Sequence, residues 1–336
     1  MKAYIKHIAE YYPKYILSND DFFNIFPELK QKKDTLLKVG VSNRYVVDKE
    51  TTASDLAFFA AEKLFNESQI DKKEIDFLIF CSTEFDHYTP TTSAILQHRL
   101  NLSNNIGSVD IVSSCTGFIH SISHAKGLIE ANDHKNVLLL CVSTLTKTFH
   151  KKDANSQFLF GDAATAILIS NRKEEGIGKF IHGTDGGRSD YIMIRDGGAR
   201  NELTTNSFLE DVNEYGNTTC NANFFMNGTG VFLFGLKTVP NIINNILRKN
   251  NISIEEIDYF VLHQANEFLL KALQKKLGIP DEKFIIHMQN TGNTVAATIP
   301  IALNCLMKTR NLKKGDKILI AAFGTGLTWG GTIIAY

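Results

Sequence analysis

The chain has 336 residues, 43% of them hydrophobic and 21% charged, a profile that suits a globular protein and excludes a disordered or fibrous one. Its 36 Lys+Arg residues balance 36 Asp+Glu, so no global field recruits nucleic acid or an anionic membrane, and no run of about 18 apolar residues reads as a bilayer span. The five cysteines, at 81, 115, 141, 220 and 305, include no Cys-x-x-Cys pair, which leaves zinc ribbons and redox motifs without support.

The opening stretch, Met1-Lys2-Ala3-Tyr4-Ile5, lacks the apolar core of a signal peptide, and a reducing cytoplasmic setting is expected. An amphipathic helix is predicted over residues 54–67, then a strand over 74–80, Glu-Ile-Asp-Phe-Leu-Ile-Phe, that runs into polar Cys81-Ser82-Thr83-Glu84. A β-branched run ends at Ser113-Ser114, Cys115 follows, and a helix is predicted over 116–131. An apolar strand occupies 136–142, with Cys141 inside it as a small hydrophobe. Residues 171–235 are richer in Gly and Asn and read as loops and short strands, with turns at Asp185-Gly186-Gly187 and Asp196-Gly197-Gly198. Helix 238–250 leads to a strand over 256–262, Glu-Ile-Asp-Tyr-Phe-Val-Leu, which meets His263-Gln264-Ala265-Asn266. Helices at 265–277 and 295–309 and a strand at 317–322 complete the series.

The strand at 256–262 repeats the one at 74–80, and 317–322 repeats 136–142 at nearly the same offset. Two matches at one offset favour a duplicated architecture. The apolar runs are continuous rather than alternating, as in strands covered on both faces. The expectation is an α/β protein of two similar halves from an internal duplication, 1–170 and 171–336, sharing one interface.

Three segments carry candidate chemistry. Cys115 sits where a strand turns into a helix, and unpaired N–H groups at a helix start lower a thiol pKa and can hold an oxyanion. From this segment alone, a buried structural cysteine is an equal reading. His263 ends a strand, a place where histidine is more often a structural hydrogen-bonding residue. Asn293 lies in Gly292-Asn293-Thr294-Val295, where an N-cap is the plain alternative. The Gly-rich turn Phe323-Gly324-Thr325-Gly326 permits close backbone approach to a ligand.

Taken together, the blocks resemble the β-ketoacyl-acyl carrier protein synthase III group of the thiolase superfamily, over essentially the whole chain. The likeness rests on the elbow at 110–118, Phe160-Gly161-Asp162-Ala163-Ala164, His263-Gln264-Ala265-Asn266, and the segments 292–300 and 323–330. It implies a thiolase-like five-layer αβαβα fold, a homodimer, and acyl thioester substrates on coenzyme A or acyl carrier protein, with no metal or other cofactor. Cys115 is implied as the nucleophile, His263 and Asn293 as donors to a malonyl thioester, and the N–H groups of Cys115 and Thr325 as the oxyanion site. Lys38, Gly228, Phe232, Asn266, Gly324 and Gly326 are implied as substrate-binding, and Thr89 as part of an acyl pocket in the partner. The implied reaction is decarboxylative condensation to a 3-oxoacyl product, in fatty acid initiation or a specialised pathway.

Departures from the family pattern cluster at the donor entrance. Phe268 replaces an arginine that receives coenzyme A and carrier protein. Lys38-Val39-Gly40-Val41 replaces an Arg-Thr-Gly-Ile element, with no tryptophan before it, and Trp329 is the only one in the chain. Ala154 replaces a further arginine. These changes favour a carrier-bound acyl donor. Thr325 replaces the middle glycine of its turn, and Thr89 replaces a bulky aromatic, making room for a chain longer than acetyl. Glu84 reads as a loop carboxylate rather than a base. Two other functions fit the same residues: acyl transfer to an oxygen or nitrogen acceptor, and a noncatalytic subunit of a heterodimeric synthase.

Overall fold

The protein is described by a computed structural model covering residues 1–131, 134–214 and 216–336. A five-stranded sheet has the spatial order Lys2–Tyr11, Ala163–Arg172, Asn136–Ser143, Phe77–Cys81, Gly107–Ile111. Phe77–Cys81 is parallel to both of its neighbours, and the other pairings are antiparallel. The second sheet repeats the order as Ile181–Thr184, Thr328–Ala335, Lys317–Gly324, Tyr259–Leu262, again with one parallel pair beside antiparallel ones. Where a fifth strand would lie, Phe284 makes a parallel bridge to Phe260.

The repeated Glu-Ile-Asp has a structural cause. Asp76 accepts the backbone N–H of Asn136 at 2.9 Å, and Asp258 accepts that of Lys317 at 2.8 Å. In each half, the aspartate before one strand satisfies the first donor of its neighbour and so sets the register.

Helices Gly117–Glu130 and Thr298–Thr309 lie between the sheets. Phe118, Ile122 and Ile129 from one, and Ile299, Leu303 and Leu306 from the other, share a core with Leu139 and Ile167 of the first sheet and Val261 and Ile320 of the second. Outside the first sheet, helix Ala53–Ser68 packs Leu56, Ala60 and Leu64 on Leu138, Leu140 and Leu168. Outside the second, Gly228–Asn250 and Glu267–Leu277 cover Leu319 and Ala321. The result is five layers, αβαβα. Leu138 and Leu140 face outward while Leu139 and Cys141 face inward, so a strand of period two has to be apolar at every position.

Local signals set the helix ends. Thr52 and Asp55 form a capping box before Ala53–Ser68, and Asn266 caps Glu267–Leu277, which ends on Gly278 at φ 65°. The helix expected at 238–250 begins ten residues earlier, at Gly228, and carries Pro240 within it. Three glycines and β-branched residues in 228–238 hid its first turns. The helix expected at 295–309 opens as a 3₁₀ turn, Val295–Ala297, before Thr298–Thr309. Near the N-terminus, a lobe not foreseen from sequence packs Phe22, Phe23 and Phe26 on Phe158. Fully buried Arg44 donates there to the carbonyls of Leu17 and Phe158 and to Asn19. Among the described residues, no helix is long and apolar enough to cross a membrane.

Candidate active site

Cys115 lies between strand Gly107–Ile111 and helix Gly117–Glu130, half-buried as a free thiol. Glycines let the elbow pack this tightly: a Cβ on Gly117 would meet Cys81 Sγ at 2.5 Å. Enclosure by apolar groups pushes the Cys115 thiol pKa up, against hydrogen bonds from Ser114 and Thr325 that favour the thiolate. The lowered pKa expected from a helix start is therefore corrected. The local dipole is legible in sequence, whereas the desolvating shell comes from distant segments.

His263 leaves the end of strand Tyr259–Leu262, with its N–H donated to the Ala321 carbonyl at 2.9 Å. It is 2% exposed, and burial takes its pKa from 6.5 down to about 4, so the ring is neutral at neutral pH. Its Nδ1 is 2.7 Å from Thr298 Oγ1, and Phe323 meets the ring edge to face.

Asn293 is stitched to the first half. Its N–H donates to Leu159 O at 3.0 Å, and its carbonyl accepts Gly161 N–H at 3.1 Å. The crossing needs Gly292, at φ 66°, where an added Cβ would lie 2.8 Å from Leu159 O. Asn293 Oδ1 accepts the Val295 N–H at 3.0 Å, and Nδ2 donates one hydrogen to Ala265 O at 3.3 Å. The N-cap alternative is thus half right: the oxygen supports the turn, and the amide retains a second hydrogen. Val295, β-branched, is held at φ 54° beside it, a conformation that costs about 1–3 kcal/mol and is typical of functional sites.

These residues line one narrow cavity of about 80 Å³, together with Gly228, Phe232, Asn266, Gly324 and Thr325. It adjoins a wider cavity of about 560 Å³, lined by Glu84, Phe85, Val112 and Thr148, and the two share Ser114, Leu145, Ile192, Phe224 and Thr325. Lys38, Gly326 and Thr89 do not line either. Lys38 is exposed, two residues before Gly40, which abuts Glu267. Gly326 takes up the turn at φ 127°, and Thr89 is exposed on its loop.

Phe268, 55% exposed, stacks on the cavity-lining Phe232 with ring centroids 5.5 Å apart. Ala154 is buried in the Phe22–Phe158 lobe and lines neither cavity. Glu84 is more than a loop carboxylate: it accepts Thr144 N–H at 3.0 Å and Ser82 Oγ at 3.3 Å, and enclosure raises its pKa. Thr298 was missed from sequence, because nothing in its spacing links it to a histidine 35 positions away.

Two family models match the chain. One, described as 3-oxoacyl-(acyl-carrier-protein) synthase III, matches residues 109–186, and its C-terminal companion matches 247–336. A beta-ketoacyl-(acyl-carrier-protein) synthase III of Clostridium perfringens is 37% identical over 327 residues, covering 96% of each chain. One of the same description from Campylobacter jejuni is 34% identical, covering 100% of this chain and 98% of the relative. A crystal structure of a 3-oxoacyl-(acyl-carrier-protein) synthase III superposes over 100% of both chains, with a TM-score of 0.97 at 35% identity. The Burkholderia xenovorans 3-oxoacyl-(acyl-carrier protein) synthase matches with a TM-score of 0.89 at 28% identity, over 100% of this chain and 94% of that one.

Proposed function

The chain belongs to the 3-oxoacyl-(acyl-carrier-protein) synthase III family, and we propose that it is an acyltransferase that condenses an acyl group carried on Cys115 with a malonyl thioester. Cys115 Sγ attacks the donor carbonyl, and the N–H groups of Cys115 and Thr325 hold the oxyanion. The donor thiol leaves with the proton that Cys115 gives up, and an acyl-Cys115 thioester remains. The malonyl carbonyl then binds the second Asn293 amide hydrogen and His263 Nε2–H. Loss of CO₂ leaves its electron pair as an enolate on those two donors. The enolate carbon attacks the acyl-Cys115 carbonyl and expels the thiolate, giving a 3-oxoacyl thioester.

The observation that carries this reading is that Cys115, His263 and Asn293, from three distant segments, line one apolar cavity. Two neutral donors stabilise an enolate without supplying an acidic proton that would quench it. The low pKa of His263 meets that need. For Nε2 to carry the proton, Thr298 must donate to Nδ1 rather than to the Val295 carbonyl, which lies 3.0 Å from the same hydroxyl.

The donor is an acyl carrier protein thioester in preference to coenzyme A. Exposed Phe268 offers no cation to nucleotide phosphates, and the pantetheine arm requires only the cavity. The protein works as a homodimer: edge strand Gly107–Ile111 leaves Val109 exposed, and Val112, at 66%, borders the wider cavity. Exposed Thr89 is the residue this reading assigns to the partner's acyl pocket. The five free thiols suit a cytoplasmic enzyme.

The test is intact-protein mass after incubation with acyl-coenzyme A and acyl-carrier donors, beside Cys115→Ser, followed by malonyl-carrier protein. A Cys115-dependent adduct that malonyl thioester discharges as a 3-oxoacyl product supports the reading. An adduct discharged only by an alcohol or amine favours the simple acyltransferase, and no adduct favours a noncatalytic subunit.

A further inference from the structure

The oxyanion role of Thr325 depends on where its N–H points, and threonine is a poor residue for a turn that must hold one conformation beside a reacting atom. The turn spans Thr325, Gly326 and Leu327, between paired Gly324 and Thr328. Gly326 takes the left-handed φ of 127°, which spares Thr325 from it. Leu327 is fixed on one side by two backbone hydrogen bonds with Asp185, at 3.1 and 2.8 Å. On the other side, Thr328 Oγ1 donates to the Thr325 carbonyl at 2.8 Å.

That bond uses the only proton Thr328 has. The 2.7 Å contact between Thr116 Oγ1 and Thr328 Oγ1 must then have Thr116 as donor. The order is therefore Thr116 to Thr328 to the Thr325 carbonyl. Thr116 follows the nucleophile in sequence and is 1% exposed. A row of two hydroxyls thus ties the nucleophile elbow of one half to the turn of the other, across 212 positions of sequence.

Resting on the reading above, we propose that Thr116 and Thr328 are positioning residues that hold the Thr325 turn in register with Cys115, so that the Thr325 N–H meets the oxyanion formed there. Neither residue lines either cavity. Misplacing a catalytic group by about 1 Å can cost about 100-fold, and losing an oxyanion donor about 100- to 1000-fold. Loss of the clamp, which loosens the donor without deleting it, is expected at the lower end.

The experiment compares the native enzyme with Thr328→Val and Thr116→Val, which keep shape and lose the hydroxyl, and with Thr328→Ser, which keeps the hydroxyl. Two rates are read on each: acyl-Cys115 formation from a thioester donor, and Cys115 alkylation by iodoacetamide, a displacement that forms no oxyanion. The expected result is acylation slowed about 10- to 100-fold in both valine variants, alkylation slowed at least tenfold less than acylation, and most of the loss recovered in Thr328→Ser. Acylation within about twofold of native in both valine variants overturns the proposal, as does an equal fall in both rates. Melting is followed alongside. If one valine variant does not fold, the other decides by the same two rates. If neither folds, the pair is structural and the proposal fails. A native enzyme that forms no adduct sinks the functional reading itself, and this is seen before any variant is compared.

Discussion

Gly324 is pressed against Cys115: a Cβ built on the glycine would lie 2.5 Å from the cysteine Cβ and 2.7 Å from its sulfur. The glycine's backbone occupies the space beside the Cys115 sulfur, and nothing larger than hydrogen fits. Gly324→Ala must displace Cys115 or the turn that follows it. We expect acyl-Cys115 formation to fall more than about 100-fold and stability to fall by about 1–3 kcal/mol, the usual cost of overpacking. Acylation rates and denaturant melts check both, and native-like acylation would show that the sulfur has another way to the carbonyl.

On the proposed mechanism, His263 and Asn293 act in the second half-reaction. His263→Ala and Asn293→Ala are expected to keep acyl-Cys115 formation within about tenfold of native, while condensation with malonyl thioester falls about 100- to 1000-fold. The measurement is acyl-enzyme mass beside 3-oxoacyl product formation. Parallel loss of both steps would place these residues at the nucleophile instead.

Two buried groups give the pH dependence opposite signs. The folded pKa of His263 is about 4 against an ordinary 6.5. Unfolded chains therefore take up protons first on acidification, and its contribution to stability, complete above 6.5, is lost as the pH falls towards 4. Burial raises Asp162 from 3.8 to about 7, so its contribution is complete at low pH and is lost as the pH rises through about 7. The two oppose each other between pH 4 and 6.5. Replacing the histidine in His263→Gln should leave a melting temperature that falls more steeply with rising pH over that window than in the native protein. An unchanged slope would mean that His263 titrates normally.

The Phe232–Phe268 stack predicts a switch in donor. Phe268→Arg places a cation beside the cavity-lining Phe232, and we expect kcat/KM for acyl-coenzyme A to rise about tenfold relative to the acyl-carrier donor, a change of about 1.4 kcal/mol, on the scale of a charge-assisted hydrogen bond. An unchanged ratio would show that donor choice is made elsewhere.

The duplicated framework was legible because its signals are local. Asp76 and Asp258 each precede a strand by one residue and do their work on the neighbouring strand, so the repeated motif survives in the sequence. Cys115, His263 and Asn293 were legible as a set through the likeness of their surrounding blocks. What could not be read depends on contacts between distant segments. Thr298 is an ordinary helix threonine until His263 arrives beside it. No motif in the sequence singles out Arg44, yet it lies under the crossing of Gly161 and Gly292, each of which would place a Cβ within 3.3 Å of its own. The raised thiol pKa of Cys115 likewise comes from groups far along the chain, and the sequence around the elbow shows only the dipole that opposes it.

Asn293 hangs from Leu159 and Gly161 by two backbone hydrogen bonds, so a residue of the second half is aligned by a strand-like stitch to the first. The enzyme therefore carries its own strain gauge. A substitution that opens this junction by a few tenths of an ångström leaves both sheets and their cores intact, and a melting curve barely registers it. On the proposed mechanism, the same shift moves the asparagine amide away from the carbonyl it meets at hydrogen-bond distance. In a screen of variants along this junction, turnover should fail well before the fold does.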